Sequence, residues 1–179
     1  MIYFLQTDRG EGIQGMINLP GLLRNLGLEE GKDVIFCNQQ VQATVGFPQE
    51  YLADVYSALD CHMLVSAGEG FGIPTIEAQA CGTPVIVGDW TAHTELCFSG
   101  RMVSKKDAEP IYTSFEAYQY VPHVRGIEHA IECEYKHPSP TGKGVRMVKE
   151  NFDVDVVRDK HWKPVLDKIQ KAVDNVQLA

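Results

Sequence analysis

No stretch of the 179-residue sequence reaches the ~18 consecutive apolar residues of a membrane span, so no integral membrane segment is expected. Runs of five like charges are also missing, as is any basic excess: 16 Lys and Arg against 24 Asp and Glu leave a formal charge of −8. That balance disfavours a nucleic-acid partner, because gripping a phosphate backbone takes concentrated positive charge on one face. There is no CxxC pair, and the five cysteines (Cys37, Cys61, Cys81, Cys97 and Cys133) are odd in number. Cys37, Cys61 and Cys81 lie in or beside apolar segments, where a free thiol behaves as a small buried hydrophobe. A reducing compartment and no structural metal are the resulting expectations. The opening Met1-Ile2-Tyr3-Phe4-Leu5 has neither the basic region nor the cleavage site of a secretory leader, so the expected setting is cytoplasmic.

What is present suits one globular domain over residues 1–179, with 44% hydrophobic and 22% charged residues to build a core and a surface. Short apolar runs alternate with helical patterns. The candidate strands are 2–6, 34–37, 61–65 and 84–87, each nearly continuous in apolar character, as strands covered by helices on both faces are. Between them, 19–28 and 49–59 repeat apolar residues at three- and four-residue spacing, as in Tyr51, Leu52, Val55 and Leu59. The expected fold is therefore α/β, a Rossmann-like parallel sheet with flanking helices. Residues 99–125 mix Gly, Lys, Pro and aromatics without period and read as an irregular, partly extended excursion. A short helix is expected at 127–134, a loop at 137–143, and a C-terminal helical region at 153–177 that Pro164 should break or restart. Val165, Ile169, Val173 and Val176 fall on one side of it, and the Val165, Ile169, Val173 stripe is expected to stand partly exposed or to be covered by a second copy.

The informative stretch runs from Ser66 to Ile86: strand, glycine-rich loop, helix, glycine stop, strand. Pro74 suits the first helical turn, since its φ is already helical and its missing N–H had no partner there. Gly82 stands where a left-handed cap belongs, with Thr83-Pro84 preventing continuation. The helix is thus about two turns long, and its N-terminus lies at the carboxyl edge of the sheet, where open α/β folds place ligands. Free amides and the positive end of the helix dipole suit an anion such as a diphosphate, and Gly70 and Gly72 let it approach the main chain. Glu69 and Glu77 flank the spot. A carboxylate accepts paired hydrogen bonds from neighbouring hydroxyls, as a sugar or a ribose presents them.

Glu69-x7-Glu77, set in E-G-F-G-I-P-x-x-E-A-x-A-C-G-T-P-V-I, closely resembles the family 4 retaining glycosyltransferases of GT-B fold, in their C-terminal donor-binding domain. Residues 49–60 are similar to the helix before that motif. The strong similarity covers roughly 33–97, and a looser one, through Asn151-Phe152 and Trp162, extends almost to the end. The resemblance implies transfer of a hexose from a nucleotide diphosphate sugar to a sugar, lipid or glycan acceptor, with no metal or other cofactor. It implies that Glu69 contacts the donor hexose, that Gly70, Phe71, Gly72 and Ile73 approach sugar and diphosphate through main-chain amides, and that Glu77 binds the ribose. No catalytic base is assigned, since retention in the family is ascribed to same-face attack assisted by the donor's own phosphate. Thr94 and Glu95, after the next strand, are further candidates near the phosphates.

The same resemblance implies that the family's first strand and helix, with the Arg and Lys that clamp the diphosphate, are lacking, as is the acceptor-binding domain. Arg9, Arg24 and Lys32 match no such motif. The expected partner is therefore that missing domain or a second copy of the chain. Two other classes stay open: a non-catalytic module that kept the fold, and an epimerase or phosphorylase relative. A dinucleotide fingerprint from Gly68, Gly70 and Gly72, with Asp89 as its ribose acid, is weak because its third glycine is replaced by Ile73. His62 is expected to be a hydrogen-bonded structural residue, Phe71 to pack under the loop, and Tyr112, Phe115, Tyr118 and Tyr120 to pack within the excursion.

Overall fold

A computed structural model describes residues 1–7, 9, 10 and 17–177, with side chains as far as Asn175. The chain read above as one domain forms two compact units, residues 1–52 and 53–179. Both are α/β with parallel strand pairing.

In the first unit β1 (Tyr3–Leu5) runs parallel to β2 (Val34–Phe36), with Tyr3 opposite Val34. Helix α1 (Leu19–Asn25) starts at Asn18, whose side chain accepts from the Gly21 amide at 2.9 Å, and has Pro20 in its first turn. Asn38 caps the short α2 (Gln39–Thr44) in the same way. Helix α3 (Gln49–Ala58) carries the boundary between the units. Arg9 is ion-paired with Glu30 and lies 4.6 Å over the ring of Phe36, and Lys32 reaches Glu29 at 3.3 Å.

The second unit is built on a three-stranded parallel sheet in the order β3 (His62–Leu64), β4 (Val85–Gly88), β5 (Gly100–Val103). Strand β4 is the centre and is buried throughout, which is why it reads as an unbroken apolar run. Helix α4 (Ile73–Ala80) joins β3 to β4, and the one-turn α5 (His93–Leu96) joins β4 to β5. Helix α4 stops as its residues dictate: Gly82 takes φ +85°, and the Thr83 amide donates to Ala78 O at 2.9 Å.

Two apolar clusters result. Ile86, Trp90, Val103 and Ala108 pack with Ala130 of α6 (Val124–Lys136), and Ile76, Leu96 and Val148 pack between α4, α5 and α7 (Thr141–Phe152). At about 25 cal/mol per Å² of apolar surface, such burial is the main stabilising term. Glu134, 5% exposed, is held by Arg101 Nε at 3.0 Å and by the Ser139 hydroxyl at 2.8 Å.

The C-terminal part differs from the sequence expectations in three places. Residues 99–125 are more regular than an excursion: they hold β5, a 3-10 turn (Lys105–Asp107), and an antiparallel hairpin of β6 (Ala108–Tyr112) and β7 (Tyr118–Pro122). The hairpin escapes a periodicity search because one end of its Tyr face packs on Trp90 while the rest is exposed, so neither face is uniformly apolar. The loop expected at 137–143 ends at Pro140, and α7 begins at Thr141 despite two glycines. Gly144 sits at a close crossing there: a Cβ would lie 3.2 Å from Ser99 Cβ and 3.3 Å from Gln79 Cβ, where α7 crosses α4, so a side chain would require those neighbours to shift by a few tenths of an ångström. Finally, the helical region after Asp153 is α8 (Val154–Val157), a π turn (Arg158–Trp162) and α9 (Lys163–Gln177). The wider π turn lets Pro164 sit in the first turn of α9 without breaking the helical path. On α9, Val165, Ile169 and Val173 are about half exposed, together with Leu166; Val176 lies outside the described side chains. Among the described residues no helix is long and apolar enough to cross a membrane.

Candidate functional site

Three chain segments meet at the carboxyl edge of the second unit's sheet: the loop leaving β3, the loop leaving β4, and β7 of the hairpin. Backbone and side-chain hydrogen bonds tie them together. Trp90 Nε1 donates to Ser66 O at 2.9 Å, the Tyr120 amide to Ala67 O at 2.8 Å, and the Glu69 amide to Thr91 Oγ1 at 3.1 Å. Thr91 holds φ +52°, uncommon for a β-branched residue, and its carbonyl accepts from the Thr94 hydroxyl at 2.9 Å. These contacts frame a cleft of about 380 Å³ lined by Glu69, Gly70, Phe71, Thr91, Ala92, Glu95 and Leu96.

Glu69, Gly70, Phe71 and Glu95 of the expected residues therefore share one cleft. Gly72, Ile73, Thr94 and Glu77 are not on its lining. Gly72 is the N-cap of α4 with φ +89°, a conformation that glycine adopts freely. Among the described residues the amides of Gly70, Phe71, Gly72 and Ile73 donate to no protein acceptor, and the first paired amide is Thr75, to Gly72 O at 3.0 Å. Four unpaired amides at a helix N-terminus are donors in search of an anion. Phe71 is not under the loop as expected: it is nearly half exposed and meets Phe152 edge-on at 5.7 Å. Ile73 is more exposed still.

Glu77, one turn into α4, is half buried and accepts from the Tyr56 hydroxyl at 3.1 Å. Burial, and then the charge of Glu77, push the Tyr56 phenol far above its ordinary value, so it stays a donor and steers that carboxylate. Sequence reasoning missed Tyr56, since an apolar helix position gives no sign of a hydroxyl partner 21 residues away. It also missed Thr91 and His93. His93 is fully buried at 0% exposure, and neither ring nitrogen has a partner among the described residues. Thr75 Oγ1 and Ser66 Oγ, also near the loop, are likewise unpartnered. Among the described residues no cluster of three or more His, Cys, Asp or Glu side chains is placed to hold a metal ion.

His62 differs from the hydrogen-bonded residue expected. Its ring stands edge-on to Tyr56 at 5.4 Å, and its Nε2 is buried without a partner. Burial, with His93 nearby, lowers its pKa from 6.5 to about 4. Between these values the unfolded chain binds the extra proton and the folded chain does not, so stability is lost as pH falls through that window. The expected slope from this group is up to about 1.4 kcal/mol per pH unit. Urea midpoints at pH 7 and pH 5 check this: His62→Phe should flatten the dependence, and an unchanged slope rules out the assignment.

The profile for Glycosyl transferases group 1 matches residues 20–117. A D-inositol 3-phosphate glycosyltransferase 2 of Catenulispora acidiphila is 33% identical over 130 residues, which cover 68% of this chain and 28% of that protein. A D-inositol 3-phosphate glycosyltransferase of Mycolicibacterium gilvum is 30% identical over 135 residues, 72% of this chain and 28% of that protein. That of Rhodococcus erythropolis reaches 60% identity over a 40-residue segment, 22% of this chain and 9% of that protein. The chain thus spans under a third of the length of these relatives.

Proposed function

Because the chain belongs to the Glycosyl transferases group 1 family, we propose that its second unit binds a nucleotide diphosphate sugar and serves as the donor half of a retaining hexosyl transfer. The observation that carries this reading is the set of unpaired amides at residues 70–73, opening beside Glu69 and preceding Glu77. The diphosphate accepts from those amides and from the α4 dipole, which offsets leaving-group charge without a metal. Glu69, on the cleft, takes hydroxyls of the hexose. Glu77, steered by Tyr56, takes the ribose hydroxyls. Glu95, at the other wall, and Thr94, which braces the Thr91 loop, act near the phosphates. The exposed α9 stripe is where the acceptor-binding part of the enzyme, or a second copy, would pack.

Calorimetric titration of the chain with UDP-, GDP- and ADP-glucose tests the reading, and the absence of binding to all three at millimolar ligand defeats it. Glu77→Ala should weaken the binding nucleotide about 10- to 100-fold, the effect of losing charged hydrogen bonds worth about 1.5–3 kcal/mol. Tyr56→Phe, which frees the carboxylate without removing it, should weaken it less. Equal affinity in wild type and Glu77→Ala would exclude the ribose role.

A second reading, a binding or assembly module without transfer activity, is favoured by one feature: among the described residues the cleft lining carries two carboxylates and no basic side chain. Sugar-nucleotide hydrolysis or transfer by the chain alone, abolished in Glu77→Ala, would rule it out.

A further inference from the structure

An anion seated on amides 70–73 meets Glu69 and Glu95 on the cleft lining, both acids, and no cation among the described lining residues. Behind the loop stands His93. Its Nε2 lies 2.9 Å, and its Cδ2 3.1 Å, from the point a Cβ on Gly72 would occupy; Thr75 Oγ1 is 3.6 Å from the same point. The imidazole edge is therefore aimed at Gly72, the N-cap of α4, where no side chain stands between the ring and the main chain. It is 0% exposed, and both ring nitrogens are unpartnered among the described residues. Folded proteins seldom leave two buried polar atoms of one ring unpaired, so the arrangement calls for a functional reason.

The elements that neighbour His93 carry these titratable groups. Glu69 stands in the loop after β3, His62 on β3, Asp89 after β4, Glu77 on α4, and Glu95 on α5 itself. Helix α7, which packs on α5 through Val148 and Leu96, carries Lys149 and Glu150 next in sequence to Val148. Burial holds the free imidazole neutral, and the charge of Glu69 offsets this only in part.

We propose that His93 takes up a proton from solvent when a nucleotide diphosphate sugar binds, so that an imidazolium behind Gly72 balances the diphosphate. The proton adds to a ring-nitrogen lone pair, and no bond in the ligand changes. The inference rests on the donor-site reading and deepens it, by supplying from behind the loop the positive charge that the cleft wall lacks. A negative charge within about 4–6 Å raises the pKa of a base by about 1–3 units, enough to bring a suppressed histidine back to neutrality or above.

The test is calorimetry on the full chain near pH 7 with UDP-, GDP- and ADP-glucose, in buffers of differing ionisation enthalpy. The diphosphate diester of these probes has no group that titrates near neutrality, so proton uptake reports the protein. Uptake of roughly half to one proton per ligand is expected, with affinity that falls as pH rises and approaches a tenfold loss per pH unit. His93→Gln should abolish both uptake and pH dependence. Should that variant fail to fold, the His93 ring resonance of the wild-type chain gives the answer: its titration midpoint should rise by at least about one unit on ligand addition. Binding without uptake, uptake that survives in His93→Gln, or an unmoved midpoint overturns this proposal and leaves the donor site standing. Failure of all three probes to bind overturns both.

Discussion

Replacing Gln79 with leucine is expected to destabilise the chain by about 3–5 kcal/mol, the cost of leaving several buried backbone groups without partners. Gln79 is 0% exposed and uses its amide in full. Nε2 donates to Thr75 O at 2.8 Å and Leu96 O at 2.9 Å, while Oε1 accepts from the Phe98 and Ser99 amides at 2.8 and 2.9 Å. Thr75 O belongs to α4 and keeps a helical donor, but the Leu96 carbonyl and the two amides lie in the turn from α5 to β5 and have no ladder to join. Leucine matches the volume and satisfies none of them. Urea unfolding of wild type and variant measures the difference, and a loss below about 1 kcal/mol would show that water replaces the side chain without penalty. Because α5 bears His93 and Glu95, nucleotide binding should weaken along with stability.

Gly100→Ala should be at least as damaging, costing about 4 kcal/mol or more. Gly100 opens β5 opposite Val85 with φ +138°, a conformation that side chains rarely adopt. An added Cβ would fall 1.9 Å from Val85 O and 2.6 Å from Val85 N. The neighbour is backbone in the buried central strand, so no rotamer change relieves the clash, and β5 must separate from β4. The expected result is a large drop in thermal midpoint or failure to fold. A midpoint within about 3 °C of wild type would mean that the two strands part more easily than their register suggests.

Local features were legible because local chemistry causes them. Strand β4 showed itself as an apolar run because both its faces are covered, and α4 was bounded correctly between Pro74 and Gly82 because φ restrictions act within one or two residues. Strands β1, β2 and β3 were read one or two residues too long, since apolar character extends past the last ladder bond, and β4 was read one residue early. Helix α7 and the hairpin were missed for opposite reasons. Gly142, with Pro138 and Pro140, made 137–143 look like a loop although α7 starts at Thr141, and the hairpin's aromatics alternate without a consistently buried face.

The site divides in the same way. Glu69, Gly70, Phe71 and Glu95 were named from the sequence and line one cleft. Tyr56, Thr91, Gln79 and His93 were not, because each acts through a partner distant in sequence: Tyr56 on Glu77, Thr91 on Glu69, Gln79 on residues 96–99, and His93 on Gly72. A hydroxyl or imidazole in an apolar segment carries no mark of what it will face.

By itself, then, the residue order determined the succession of strand, helix and strand in the central βαβ stretch, where α4 stops, and that a glycine-rich turn precedes α4, since capping, φ limits and hydrophobic period depend on near neighbours. Only the tertiary structure decided which donors were left unpaired, which polar groups were buried, and which of two glycines in α7 sits at a close crossing. Those properties depend on the distance between atoms far apart in the chain, which no local pattern encodes.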